Sequence, residues 1–297
     1  MSALLLLAME GNAAIASSLA AKLGGVSGSV ETRKFPDGET YLRLSGDFSG
    51  RSVALVCSLD HPDAKFLPLI FAADTARDLG AASVGLVAPY LAYMRQDRRF
   101  QAGEAVTSRS FAKALSQNFD WLATIDPHLH RTKSLGDLYS VPAKALHAAP
   151  LLADWVGSNV ENPLLVGPDG ESAQWVSAAA ARIKAPFTVL DKIRKGDREV
   201  EIRLTDAKAF GNRTPVLLDD IISSGETMLA AVRAVRRASD VRPVCVAVHG
   251  IFADRADEAL AREGAWVVTA NTVPHATNAI DVSGLLADGI AALSQGF

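Results

Sequence analysis

Short apolar runs alternate with amphipathic stretches along nearly the whole chain. The apolar runs predict strands at residues 3–8, 53–57, 84–88, 121–125, 164–166, 187–190, 215–218, 244–248 and 266–270. The stretches between and after them have helical spacing, which predicts helices at 12–23, 64–79, 108–117, 172–183, 227–239, 254–263 and 283–294. Strands that alternate with helices are typical of parallel sheets with right-handed crossover connections. The pattern therefore predicts an α/β protein.

A repeated local pattern indicates two similar halves. The segment VALVCSLDHP leads through a helical stretch into SVGLVAP, and VLLDDIISSG leads through another into PVCVAVHG. With 297 residues, the chain has the length of about two domains. We predict an N-terminal domain at 1–146 and a C-terminal domain at 147–297, joined between Pro142 and Pro150. The last helix is a candidate to pack on the first domain.

Composition and charge narrow the class of protein. Apolar residues make up 49% of the chain, enough for packed cores, and the formal net charge of −3 provides no basic field for nucleic acid. Cys57 and Cys245 lie in apolar runs without metal-ligand spacing, which indicates core residues rather than a disulfide framework or a zinc site. No apolar run reaches the length of about 18 residues that predicts a membrane span, and SALLLLAME lacks the basic segment of a signal peptide. We expect a cytoplasmic enzyme that binds neither nucleic acid nor membranes.

The most informative segment is PVLLDDIISSGETM, in which an apolar run ends in Asp219 and Asp220. Small and hydroxyl residues follow and an amphipathic helix begins, an arrangement in which backbone N–H groups and the helix dipole attract an anion. Hydroxyl side chains can donate to phosphate oxygens, and two carboxylates can accept from the vicinal hydroxyls of a sugar. The alternative is an ordinary strand followed by a capped helix, which the repulsion between adjacent carboxylates disfavours. The segment therefore indicates a site for a ribose phosphate.

This segment resembles the phosphoribosyl-binding loop of the phosphoribosyltransferase fold, which transferases and diphosphokinases share. The resemblance implies two phosphoribosyltransferase-like domains, each a mainly parallel sheet flanked by helices. It also implies that ribose 5-phosphate is bound by Asp219, Asp220, Ser223, Ser224, Gly225, Glu226 and Thr227, with Glu226 at the variable position of the loop.

Four further segments resemble ribose-phosphate diphosphokinases, and together they extend over most of the chain. The first is RKFPDGE at 33–39. The resemblance implies that Phe35 stacks on adenine and that Asp37, Gly38 and Glu39 contact the nucleotide of a neighbouring subunit. A nucleotide site completed by a neighbour implies a homo-oligomer, at least a dimer. The Pro-Asp-Gly sequence within the segment is also typical of a simple turn, and the two interpretations are compatible.

The second segment is APYLAYMRQDRR at 88–99. By resemblance, Arg95, Gln96 and Asp97 line the ATP site. Arginine suits a polyphosphate because its planar guanidinium can donate two parallel hydrogen bonds. Without the resemblance, such a charged run is more typical of a solvated loop.

The third match consists of TIDPH at 124–128 and VGPDG at 166–170, each directly after a predicted strand. The resemblance implies that His128 and Asp169 are linked to Mg²⁺, with Asp126 as a further candidate ligand. Imidazole is an unusual ligand for a hard cation, so the role of His128 rests on the resemblance alone.

The fourth segment is DKIRKGDREV at 191–200. By resemblance it is the catalytic loop, with Lys192 and Arg194 as the two functional cations. Residues two apart on an extended segment face the same side, which would let both cations converge on one phosphate chain. The simpler interpretation is a solvated hairpin tip.

The resemblance implies an enzyme of nucleotide biosynthesis that uses ATP, ribose 5-phosphate and Mg²⁺. Its reaction would transfer the β,γ-diphosphate of ATP to the C1 hydroxyl of ribose 5-phosphate, giving phosphoribosyl diphosphate and AMP. The residues FQAGEAV at 100–106 lack the basic stretch of regulated members, which is more like the less regulated, archaeal-type class. Two alternatives stay open: a phosphoribosyltransferase that shares only the 219–227 loop, and a non-catalytic regulatory paralogue of the synthetase.

Overall fold

The structure is a computed structural model that describes residues 3–129, 133–195, 199–203 and 210–294. The chain divides into two compact units. Unit 1 consists of Met1–His147 and Ser283–Phe297, and unit 2 consists of Ala148–Val282. Within the described part of the chain, no helix is both long enough and apolar enough to cross a membrane.

Unit 1 contains a six-stranded parallel sheet and a two-stranded antiparallel hairpin. The strands are Leu5–Ala8 (β1), Val26–Ser27 (β2), Ser29–Lys34 (β3), Thr40–Ser45 (β4), Ser52–Val56 (β5), Ser83–Ala88 (β6), Trp121–Ile125 (β7) and Ala143–Leu146 (β8). The sheet has the order β2-β1-β5-β6-β7-β8, and β3 pairs with β4. The helices of the unit are Ala13–Leu23 (α1), Pro62–Asp78 (α2), Thr107–Asn118 (α3) and, from the end of the chain, the last helix, Ser283–Ser294.

Burial explains why the central strands of unit 1 are continuous apolar runs. The strands β5, β6 and β7 are buried almost throughout, as is typical of parallel strands covered by helices on both faces. Gly85 of β6 lies opposite Trp121 of β7, and an added Cβ at Gly85 would lie 1.8 Å from the indole ring. The glycine therefore provides the space that this tryptophan fills.

Unit 2 has the same architecture. Its helices are Ala149–Asn159 (α4), Ala173–Ile183 (α5), Glu226–Ala238 (α6) and Ala256–Arg262 (α7), and the last helix of the chain, in unit 1, is named α8. The strands are Pro163–Gly167 (β9), Phe187–Val189 (β10), Asp191–Lys195 (β11), Glu199–Arg203 (β12), Thr214–Ile222 (β13), Val244–Gly250 (β14), Trp266–Ala270 (β15) and Asn278–Ile280 (β16). The parallel sheet has the order β10-β9-β13-β14-β15-β16, and β11 pairs with β12 as an antiparallel hairpin.

The two units repeat one another strand by strand. In each unit, the second strand lies at the edge of the parallel sheet and is followed by the antiparallel hairpin. The strand after the hairpin then pairs with the first strand of the unit. Each unit also pairs its first crossover helix with one further helix: α1 contacts α8 in unit 1, and α5 contacts α4 in unit 2. The predicted α/β class with mainly parallel sheets is confirmed.

The predicted elements differ from the observed ones where apolar patterning is weak. The strands β2, β3, β4, β8 and β16 were not predicted, because they are short or carry exposed positions. The strands β11 and β12 were not predicted either, although the simpler interpretation of residues 191–200 was a hairpin tip. Helix α4 was not predicted. It begins at Ala149, at the end of the predicted junction, and Pro150 stands in its first turn, a position that proline favours. The helix predicted from residue 254 begins at Ala256, because Asp254 and Arg255 have φ values of 55° and 59°.

Candidate active site

The predicted phosphate loop lies at the carboxyl end of β13. We had predicted a strand that ends at residue 218, before Asp219 and Asp220. Strand β13 instead pairs with β14 as far as Ile222, so both aspartates lie within the strand. The loop Ser223–Gly225 connects β13 to α6, and Gly225 is the N-cap with φ 74°. An added Cβ at Gly225 would lie 2.8 Å from the Cβ of Ala256. Only glycine fits there, because both the backbone conformation and the neighbouring chain exclude a side chain.

This loop presents unpaired donors at a helix N-terminus. In the part of the chain that the structure describes, the N–H groups of Ser223, Ser224 and Gly225 donate to no other group. The helix dipole of α6 adds partial positive charge at this position. Ser224 is exposed and Thr227 is half-buried, so both hydroxyls lie near the surface of the loop. The arrangement can bind an anion of phosphate size.

Carboxylates gather beside the loop. The N–H of Asp220 donates to Oδ1 of Asp219 at 2.9 Å. Burial, followed by the negative charges of Asp220 and Asp169, raises the pKa of Asp219 well above its usual range. Asp169 follows β9 and accepts at Oδ1 from the N–H of Ser172 at 3.3 Å. A carboxylate with a raised pKa beside two further carboxylates favours a bound cation or a shared proton.

Candidate metal ligands in unit 1 lie after β7. Asp126 has φ 32° and its Oδ1 lies 2.9 Å from Nδ1 of His147, and this hydrogen bond is the main cause that raises the pKa of His147. His128 is half-buried two residues further on. Among the described residues, no group of three or more His, Cys, Asp or Glu side chains is arranged to hold a metal ion by itself.

The hairpin β3–β4 carries the first candidate nucleotide segment. The N–H of Phe35 donates to the carbonyl of Glu39 at 2.8 Å, and the N–H of Glu39 donates to Oδ1 of Asp37 at 3.1 Å. Gly38 has φ 92°, so the tip is also the turn that its Pro-Asp-Gly sequence indicates. The Phe35 ring is 38% exposed, and the Arg33 guanidinium lies 4.7 Å from its centroid. An exposed aromatic ring at a hairpin tip can stack on a flat ligand.

The second candidate nucleotide segment lies between β6 and α3. Arg95 is exposed, whereas Gln96 and Asp97 are half-buried. The carbonyl of Gln96 accepts from the N–H of Ser108 at the start of α3, at 3.3 Å. Glu104 closes the end of this connection, since its Oε2 accepts from the N–H groups of Phe100 and Gln101 at 2.7 and 3.0 Å.

The predicted catalytic cations lie on the other hairpin. Lys192 and Arg194 belong to β11, where Lys192 pairs with Ile202 and Arg194 with Val200. For these strands the structure describes the backbone, and residues 196–198 of the predicted loop lie outside the described residues.

Comparison with known proteins decides the family. A family model described as the N-terminal domain of ribose phosphate pyrophosphokinase matches residues 4–118, and one described as the phosphoribosyl transferase domain matches residues 134–285. A ribose-phosphate pyrophosphokinase of Sulfurisphaera tokodaii is 33% identical over 257 residues, which cover 85% of this chain and 87% of that protein. This chain belongs to the ribose-phosphate pyrophosphokinase family. The family that the motifs indicated, under its synonym diphosphokinase, is thus confirmed.

The likeness to this family extends over the whole chain. The ribose-phosphate pyrophosphokinase of Methanopyrus kandleri is 32% identical over 295 residues, which cover 98% of this chain and 100% of that protein. The crystal structure of phosphoribosylpyrophosphate synthetase from Mycobacterium smegmatis covers 100% of both chains with a TM-score of 0.84 at 23% identity, which shows a shared fold. Both repeated units are therefore features of the family fold.

The prediction from sequence missed contacts that support the candidate segments from a distance. The Tyr93 hydroxyl bonds to Asp63, 30 residues away on α2, and the Glu104 side chain caps its own loop. Helical spacing predicted this helix only from residue 64, so Asp63 lay just outside it, and no local pattern pairs Asp63 with Tyr93. In unit 2 the sequence did carry a signal for the backbone at Gly225, since glycine adopts a positive φ without steric cost.

Proposed function

We propose that this chain is a ribose-phosphate pyrophosphokinase that transfers the β,γ-diphosphate of ATP to the C1 hydroxyl of ribose 5-phosphate. The observation that carries the proposal is that full-length similarity to this family coincides with an anion-binding loop beside paired carboxylates. A phosphoribosyltransferase would match only the second half of the chain. The full-length match disfavours that alternative.

Ribose 5-phosphate binds in unit 2 in this proposal. Its phosphate accepts from the open N–H groups of Ser223–Gly225 and from the hydroxyls of the loop. Asp219 and Asp220 accept from the ribose hydroxyls. The left-handed Gly225 keeps the N–H groups turned toward the phosphate. The loop thereby binds the 5-phosphate, and the C1 hydroxyl that reacts lies at the opposite end of the sugar.

ATP binds in unit 1, through Arg95, Gln96 and Asp97. The hairpin tip, with Phe35, Asp37, Gly38 and Glu39, contacts the nucleotide of a second copy, so the working enzyme is a homo-oligomer of at least two chains. The exposure of the Phe35 ring supports this, because a large apolar side chain at a hairpin tip gains from burial against a partner. A cytoplasmic location and the less regulated class remain predictions.

The donor set fits Mg²⁺ that is bound mainly by its substrates. Asp169 and Asp126, which is two residues before His128, supply the carboxylate oxygens that this ion prefers. Among the described residues, no group of three or more His, Cys, Asp or Glu side chains could hold the ion without the substrates. When bound, Mg²⁺ neutralises charge on the phosphate oxygens of the substrates. In unit 1, His128 would hold Mg²⁺, with Asp126 as a further ligand, and in unit 2 Asp169 would do so at a second magnesium-linked position.

The residues of this chain supply positioning and positive charge for the transfer. The C1 oxygen of ribose 5-phosphate attacks the β-phosphorus of ATP, the bond from that phosphorus to the α,β-bridging oxygen breaks, and AMP leaves with that oxygen. The proton of the C1 hydroxyl passes to solvent. Lys192 and Arg194 offset negative charge on the diphosphate as it transfers. Phosphoryl transfer demands little else from a protein beyond holding the reacting groups in line.

The test is an assay of the purified chain with ribose 5-phosphate, ATP and Mg²⁺. We expect AMP and phosphoribosyl diphosphate to appear in equal amounts. Release of pyrophosphate from phosphoribosyl diphosphate and a nucleobase would support a phosphoribosyltransferase. No turnover by a folded, ATP-binding chain would support a regulatory paralogue. Either of these results would overturn the proposal.

A further inference from the structure

The connection between β6 and α3 is held at several points along its length. The N–H of Leu59, after β5, donates to the carbonyl of Tyr90 at 2.9 Å, and the N–H of Ser108 donates to the carbonyl of Gln96 at 3.3 Å. Between these anchors the chain passes through Tyr93 and reaches Arg95. The backbone conformation at Tyr93 therefore sets the position and direction of Arg95 and the residues next to it.

Tyr93 has a backbone conformation that an aromatic residue rarely adopts. Its φ is 59°, in the left-handed region that favours glycine. Such a conformation persists only when the surrounding structure determines it, and residues of this kind concentrate at binding sites. The contacts of the Tyr93 side chain account for this backbone conformation.

Two contacts hold that side chain. The hydroxyl of Tyr93 donates to Oδ1 of Asp63 in the first turn of α2. Its ring lies 4.8 Å from the ring of Phe111 on α3, and Phe111 lies 5.5 Å from Phe66 on α2. The hydrogen bond to Asp63 is also the main cause that raises the pKa of Tyr93. The ring contact fixes the position of the side chain, and the hydroxyl fixes its direction.

We propose that the Tyr93–Asp63 pair is a positioning contact that sets the path of the nucleotide-binding segment Arg95–Asp97. The proposal rests on the function proposed above, because it assumes that this segment binds ATP. Tyr93 and Asp63 themselves act through the backbone of residues 94–97 rather than by touching the substrate. Loss of the contact lets the left-handed turn relax, and the segment then must be ordered when ATP binds.

The test compares Tyr93→Phe, Asp63→Ala and the double variant, because alanine, unlike asparagine, leaves no side-chain acceptor for the Tyr93 hydroxyl. Tyr93→Phe keeps the ring contact with Phe111 and removes only the hydroxyl. Tyr139→Phe is the matched control, because the Tyr139 hydroxyl is buried and has no hydrogen-bond partner among the described residues. Initial rates are measured with ATP varied at saturating ribose 5-phosphate, and with ribose 5-phosphate varied at saturating ATP. Melting temperatures show that each variant is folded.

We expect each single variant to raise KM for ATP roughly fivefold, the size typical of one hydrogen bond. KM for ribose 5-phosphate should change less than about twofold, since that substrate binds in unit 2, and Tyr139→Phe should match the wild type. The double variant should be no worse than either single variant, because both remove the same contact. An unchanged KM for ATP, additive effects, or an equal rise in both KM values would overturn the proposal.

The outcome can be separated from failure of the proposed function. Calorimetric titration of the same variants with Mg²⁺ and ATP measures nucleotide affinity without turnover. If the wild type released no AMP but bound ATP, the proposed function would fail, and a weaker affinity of Tyr93→Phe would still support the positioning contact. If the wild type were active and Tyr93→Phe bound ATP equally well, only the positioning contact would fail.

Discussion

The loop after β5 in unit 1 and the loop after β13 in unit 2 occupy the same place in two sheets of the same strand order, and they differ in what they leave open. Each ends in a left-handed residue at the start of a helix: His61, with φ 51°, before α2, and Gly225, with φ 74°, before α6. The backbone path is therefore similar. In unit 1, however, the left-handed residue has a side chain, that of His61, whereas its counterpart in unit 2 is a glycine.

Two backbone donors of the unit 1 loop are already used. The N–H of Ser58 donates to Oδ1 of Asn12 at 3.0 Å, and the N–H of Leu59 donates to the carbonyl of Tyr90 at 2.9 Å. Lys65 binds the carboxylate of Asp60 at 2.6 Å, so the charges there are also paired within the unit. We interpret these loops as one repeated place in the fold, at which individual residues decide whether an anion can bind.

The hairpins of the two units extend this contrast. Both follow the edge strand of their sheet, but β3–β4 presents the exposed Phe35 ring, whereas β11–β12 carries Lys192 and Arg194. An aromatic ring suits recognition of a base, and cations suit a transferring diphosphate. We interpret the two units as divided between binding the nucleotide and binding and activating the sugar.

Removing a cation from the unit 2 hairpin should have the largest effect. We expect Lys192→Ala and Arg194→Ala each to reduce kcat by about a hundred- to a thousandfold, because their charge acts mainly on the transition state. KM for ATP should change far less. The matched control on the unit 1 hairpin is Arg43→Ala, which breaks only an exposed ion pair with Glu31 at 3.1 Å. Near wild-type turnover in either unit 2 variant would show that the catalytic assignment is wrong.

Exchanging the left-handed residues tests the loops directly. We expect Gly225→Ala to lower kcat/KM for ribose 5-phosphate by about a hundredfold, because the added Cβ displaces the phosphate-binding N–H groups. His61→Gly changes the equivalent residue of unit 1 and should leave kcat/KM within about twofold of the wild type. Steady-state kinetics on both variants decides the point. The contrast between the loops fails if His61→Gly impairs ribose 5-phosphate as strongly as Gly225→Ala does.

The smallest expected effect concerns a pair at the ends of the last two strands of each sheet. In unit 1 His147 bonds to Asp126, and in unit 2 the amide of Asn271 donates to Asp281 at 2.9 Å. Because the pKa of His147 is raised, its contribution to stability is present below its ordinary pKa and is lost as pH rises through the raised value. The amide of Asn271 has no proton to lose in that range.

We therefore expect His147→Ala to destabilise the protein by less than about 1 kcal/mol near pH 6, and by still less near pH 9. The cost of Asn271→Ala should be the same at both values of pH. Thermal unfolding without Mg²⁺ measures both. A cost of His147→Ala that grows with pH would have the wrong sign and would refute the assignment of this pair.

Much of the fold could be predicted because buried parallel strands are continuous apolar runs, as in the buried segment around Leu55. The hairpin β3–β4 could not, since β3 is mostly exposed and has no apolar run. The loop around Gly225 was predictable from local chemistry alone. The Tyr93–Asp63 contact was not, because it joins residues 30 positions apart and depends on the packing of two helices.

The division between the units is tested most directly by counting the ribose 5-phosphate molecules that bind to each chain. The measurement is calorimetric titration in the presence of Mg²⁺ and an ATP analogue with a methylene α,β-bridge, which cannot transfer its diphosphate. We predict one molecule per chain, lost in Gly225→Ala and kept in His61→Gly. A cleft of about 160 Å³ beside the unit 1 hairpin, lined in part by Lys34 and Lys65, is the alternative location. Two molecules per chain, or binding that survives Gly225→Ala and is lost in His61→Gly, would contradict the account.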